Sequence, residues 1–135
     1  MISAPRQLTK TRLDADDPTV AERFRALDEA RRRRLACSMV RDAIAEHPVT
    51  LPPTILGLLG TAGVATPAQL ADLDRRAASA GAPPVEQDFR RARIVAAARY
   101  ALSPQPRACE EAVHEALRSR GSFEGALVEL RRRLD

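Results

Sequence analysis

Apolar positions recur along most of this chain at the three-to-four-residue spacing of a helix, and the recurrence is densest from Phe89 to Leu102. At roughly 100° per residue, Phe89, Ala92, Ala96 and Tyr100 make one stripe. Ile94, Val95, Ala97, Ala98, Ala101 and Leu102 fill nearly every remaining direction, and only Arg99 interrupts the second half. A helix that is apolar all round is normally enclosed by other elements. The pattern therefore predicts a central Ala-rich helix at about 85–103, with its alanines admitting close neighbours.

The other elements follow from caps and breakers. Asp17-Pro18 starts a helix whose periodicity runs to His47, where Pro48 discourages continuation. Val20, Phe24 and Leu27 share one face of it, and Arg31 and Arg34 occupy that face's continuation. Ala36, Cys37, Val40, Ala43 and Ile44 lie on roughly the opposite side. The apolar side changes across Arg31–Arg34, so the helix either breaks there or serves two different neighbours. Val49 to Val64 reads as a short helix opened by Pro52 and Pro53 and ended by Gly60 and Gly63. Thr66-Pro67-Ala68-Gln69 is a capping box for a helix that presents Leu70, Leu73 and Ala77 and stops at Gly81. Pro83-Pro84 and Pro104-Gln105-Pro106 make corners on either side of the central helix. Cys109, Val113, Ala116 and Leu117 mark the next helix, and Phe123, Leu127, Leu130 and Leu134 mark a last one capped by Ser122. The expected fold is all-α: five to six helices in a compact bundle or orthogonal array, forming a single domain over 17–135. Residues 1–16 show no periodicity and read as a flexible, weakly basic tail.

Composition supports the helical class. Of 135 residues, 44% are hydrophobic but only 3% aromatic, so Leu, Val, Ile and Ala must build the core. Twenty-two basic residues against 18 acidic ones give a net charge of +4, and all the basic residues except Lys10 are arginines. Arginine makes nucleic acid an admissible partner, yet the acids are interspersed with the arginines and the net charge is modest. The chain has no leader-like apolar run and no stretch long enough to span a membrane, which places it in a reducing cytoplasm.

Candidate chemistry is sparse. Cys37 and Cys109 lie far apart and match no metal-ligand spacing. Cys37 follows four arginines that would lower its pKa, but no cleft is identifiable around it. Glu111-x-x-His114 has the spacing found in di-iron bundles, without a second copy. Glu110, Glu111, His114 and Glu115 read as a solvated acidic face of one helix. Arg99 is expected near its helix end, snorkelling outward or paired with Glu110 or Glu111. These readings exclude a metal, a cofactor and catalysis from the expected function. The leading expectation is a non-enzymatic interaction or regulatory module that binds another protein or a second copy of itself. Its partner face would be Val20, Phe24, Leu27, Arg31 and Arg34, unless the C-terminal helix covers that stripe. The alternative is a nucleic-acid binder using Arg31, Arg32, Arg33, Arg34, Arg90 and Arg91 on helix surfaces.

Overall fold

A computed structural model describes residues 10–80 and 86–135, the side chains of 86–88 excepted. Eight helices and no strand occur among the described residues: α1 (Arg12–Asp16), α2 (Pro18–Ala26), α3 (Glu29–Glu46), α4 (Pro53–Thr61), α5 (Pro67–Ala80), α6 (Glu86–Ala101), α7 (Ala108–Ser119) and α8 (Phe123–Leu134). None is long and apolar enough to cross a membrane. The class is as expected, but the helix number is higher because the amino-terminal third is divided further than its periodicity suggests.

The division comes from caps. The Asp17 side chain accepts the Val20 N–H (3.1 Å) and Pro18 opens α2. Leu27 and Asp28 then turn extended, and the Asp28 side chain accepts the Arg31 N–H (2.8 Å) to start α3. The expected break thus falls three residues before the arginine run, at the one acid placed to cap a new helix. Further along, Thr66 and Gln69 exchange their capping bonds as predicted, at 2.8 and 3.1 Å. Helix α4 ends on Ala62 in the left-handed region (φ 55°). The Gly63 N–H closes that turn on the Leu58 carbonyl (2.9 Å), and a Cβ at Gly63 would meet Leu58 at 2.7 Å. A side chain at Gly63 would therefore have to displace the tip of Leu58. The stop expected at Gly81 and the corner at Pro83-Pro84 lie outside the described residues.

The enclosed helix is α7. Nine of its twelve residues are buried, and it packs against α1, α3, α6 and α8. Helix α6 packs against α3, α5 and α7 and buries Ile94, Val95, Ala97, Ala98 and Ala101. Its other stripe is open: Phe89 is 52% exposed, and Ala92, Ala96 and Tyr100 are only half-buried. The expectation of a helix sealed on every side therefore fails for α6. Alanine is small enough to sit on either a covered or an uncovered side, so apolar directions alone do not report enclosure.

The expected tail also needs correcting. Residues 1–9 lie outside the described residues, but Arg12–Asp16 is helical and fully buries Leu13 against the core. Asp14 reaches back to the Thr11 N–H (2.7 Å) and steadies this single turn, whose length is too short to stand alone. Helix α1 exists because α2 and α7 hold it. Leu13→Ala is accordingly expected to cost about 2–5 kcal/mol in denaturant unfolding, whereas the same change in a mobile tail would stay within about 0.5 kcal/mol.

Candidate functional site

The stripe expected to meet a partner is consumed by the fold. Val20 is 1% exposed, Phe24 is fully buried, and Leu27 is half-buried against the core. Helix α2 packs on α1 and α8, so the C-terminal helix covers the face. The apolar side changes between α2 and α3 because they are separate helices with separate neighbours.

The arginines expected to read nucleic acid are divided among several duties. Arg33 is 9% exposed, and its Nη1 donates to the Ala101 and Ser103 carbonyls (3.0 and 3.1 Å) at the end of α6. Arg32 Nη1 does the same for α2, donating to the Arg25 carbonyl at 3.1 Å and also to that of Leu27. Each guanidinium thus holds the last carbonyls of another helix. Arg31 is exposed and sits 3.7 Å from Asp28, and Arg34 is exposed on the same turn. Arg90 acts electrostatically on Glu46, which lies about 22 Å along α3 from Arg31 at 1.5 Å per residue. Arg91 borders a hollow beside Pro48 and Arg76. Arg31 and Arg34 therefore do not converge with Arg90 on one anion track.

The presumed acidic surface of α7 lies inside. Glu110 is 1% exposed, Glu115 7% and His114 8%. Arg25 grips Glu110 with two bonds (Nε at 2.9 Å, Nη2 at 2.7 Å), and the Thr11 hydroxyl donates to the same carboxylate (2.8 Å). Arg25 also binds Asp14. Arg12 reaches Glu111 (2.7 Å) and Glu115 (2.9 Å), and Arg93 from α6 completes Glu115 at 3.0 Å. His114 Nδ1 stands 2.5 Å from Asp16 Oδ2, while Arg118 donates to Asp16 Oδ1 at 2.7 Å. The acids avoid water because α1 and α2 supply counter-charges, which no helical period reveals. Arg99 likewise bonds Asp74 on α5 (3.0 Å), rather than either glutamate of α7.

The nucleophile candidates are quiet. Burial pushes the Cys37 thiol up to about 11 and outweighs Arg33 and Arg41, which act in the opposite direction. Burial also raises Cys109, again against nearby arginines. No group of three or more His, Cys, Asp or Glu side chains suited to a metal occurs among the described residues.

Two surfaces remain with geometry that invites contact. One is the outer side of α4. Residues 49–71 carry no charge at all, in a chain that is 30% charged. On that side Leu56 is 44% exposed, and a Cβ at Gly57 or Gly60 would meet nothing within 4 Å; Val64, in the loop beyond the helix, is 48% exposed. The uncharged run is visible in the sequence; its exposure is not, because a buried helix would read the same. The other surface is a cleft of about 410 Å³ where α2 and α3 meet the turn before α7, lined by Arg25, Arg32, Arg33 and Arg107 among other residues. No protein-family description, curated protein or solved structure gives a significant match to the chain.

Two outcomes follow from the buried charges. Arg25→Met, which leaves Glu110 buried without its main counter-charge, should lose about 3–5 kcal/mol of unfolding free energy, and adding Glu110→Leu should restore much of it. The second outcome concerns acid. Arg131 (2.6 Å) and the Val20 N–H hold the Asp17 carboxyl below the ordinary aspartate value of 3.8. Burial opposes the charge of Asp14, but Arg25 and the Thr11 N–H overcome it and depress that carboxyl too. Stability from a depressed carboxyl is complete above pH 3.8 and is lost as pH falls through the lower folded value. A Tm series should therefore show Asp17→Asn below the native chain at pH 7, with the gap closing as the pH drops below 3.8.

Proposed function

We propose that this chain is a non-enzymatic helical interaction module that works by gripping a protein surface, and that its first partner is a second copy of itself. The observation that carries the reading is the open, charge-free side of α4. A molecule of net charge +4 repels its copy, and it does so least where residues 49–71 present no charge. On α4 the projecting Leu56 lies beside Gly57 and Gly60, whose lack of side chains leaves a shallow notch. A projection next to a notch is self-complementary about a two-fold axis: each Leu56 enters the other copy's glycine notch. Glycines also let two helix backbones approach more closely than larger residues permit.

The protonation behaviour of the thiols supports the non-enzymatic half of this reading, since neither Cys37 nor Cys109 is activated. The arginine-based nucleic-acid reading loses support because Arg31 and Arg34 stand far along α3 from the end that Arg90 acts on.

Gly57→Ala separates a docking face from an idle one. Position 57 lies inside α4 with open space around its missing Cβ. In a monomer the change should therefore raise stability by about 0.5–1 kcal/mol. If α4 is the contact, the same variant weakens self-association. The expected result, from light scattering across a concentration series together with Tm, is a native dimer and a variant shifted toward monomer. A native chain that stays monomeric at the highest concentration, or a variant that dimerises as well as the native chain, defeats the proposal.

A further inference from the structure

The cleft at the start of α7 goes beyond that reading, because it is built from charged groups that play no part in the α4 face. Four arginines face two carboxylates there, Glu29 and Glu110. Glu110 is committed to Arg25, with Arg107 at 3.6 Å. Arg32 and Arg33 donate to backbone carbonyls, which are neutral and leave the guanidinium charges uncancelled. Glu29 lies 3.5 Å from Arg33, but its side chain is 76% exposed and solvent screens it. The recess therefore holds surplus positive charge in a partly desolvated place.

Its floor adds to that field. Helix α7 begins at the cleft, with Arg107 as its N-terminal flank at φ 67°; no side chain caps its first turn, where the Ala108 and Glu110 amides bond the Gln105 and Arg107 carbonyls (3.2 and 3.0 Å). The positive end of the helix and the guanidinium forks thus act on the same space. Phe24 lines the recess but is fully buried, so no aromatic face is offered to a nucleobase. About 410 Å³ lies within the usual range for small-ligand sites.

We infer that the cleft formed by Arg32, Arg33 and Arg107 at the amino end of α7 binds a small phosphate-bearing ligand, either a free inorganic phosphate species or the phosphate of a small ester. A guanidinium stays charged throughout the neutral range, so affinity follows the ligand's ionisation and falls with added salt.

Cys109 lines the cleft and serves as its reporter, while Cys37, at 1% exposure, is shielded in the folded chain. The full chain is alkylated with iodoacetamide at low salt, with inorganic pyrophosphate, inorganic phosphate or glycerol phosphate present, and labelling at each cysteine is read by mass spectrometry. Pyrophosphate should slow labelling of Cys109 saturably and raise Tm. Stronger protection by glycerol phosphate would identify the ligand as an ester; stronger protection by pyrophosphate would identify it as an inorganic species. Removing Arg33 would also strip the end of α6, so the test uses Arg107→Gly and Arg32→Gln. Arg107→Gly relieves a left-handed backbone but also removes a cation 3.6 Å from Glu110, so its unliganded Tm is measured beside its pyrophosphate affinity, which should fall about tenfold or more. No protection of Cys109 by any of the three probes overturns the inference. So does equal protection in the native chain and both variants, or protection by a short DNA duplex as strong as that by pyrophosphate.

Discussion

A carboxylate buried on the most enclosed helix must be met by a cation, and much of this fold is arranged to meet it. Glu110 lies almost wholly out of water, and leaving its charge unpaired would cost several kcal/mol. Arg25 reaches it from α2 and Thr11 from the flank of α1, so two elements are located by one acid. Glu115 and Asp16 repeat the device with Arg12, Arg93 and Arg118. Such pairs need contribute little net stability to contribute position, because a shifted α1 would strand charges in the interior. The amino-terminal turn is held by electrostatic necessity and by Leu13 together.

Arginine does in this chain much of what aromatic residues do elsewhere. With aromatics at 3%, the core rests on aliphatic side chains and alanine, and the helix ends are closed by guanidinium forks. Arg33 holds the end of α6, Arg32 the end of α2, and Arg131 ties α8 to the N-cap of α2. The long aliphatic stems let a helix on one side of the bundle reach a terminus on another. Reading these residues as a polyanion surface overlooks that a buried backbone carbonyl is also an acceptor in need of a donor.

What was legible in the sequence was local. Asp17-Pro18, Thr66-x-x-Gln69 and Ser122 announce their helices because a cap and its acceptor lie within three residues. The all-helical class and the seam of α8 follow from periodicity for the same reason. The place of the break at Leu27–Asp28 was not legible, because the change of apolar side pointed to Arg31–Arg34 and fitted one long helix with two neighbours equally well. The acidic side of α7 was misjudged because its partners lie far away in the chain, 99 residues for Thr11 and Glu110 and farther for Arg12 and Glu115, and an inward acid has the same letter as an outward one. The α4 side and the arginine cleft needed exposure and proximity, and the sequence carries neither.

The separation between α1 and its dock also bears on how the chain is made. Thr11 and Arg12 wait on residues 110 and 111, and Arg25 on residue 110. At synthesis rates of about 5–20 residues per second, the interval between the emergence of Phe24 and Glu110 is on the order of 4–17 s. Throughout it, Leu13, Val20 and Phe24 have no permanent cover. Vectorial growth on the ribosome thus leaves the amino-terminal helices as nascent, chaperone-visible surface until the seventh helix emerges to cover α1 and the eighth to cover α2.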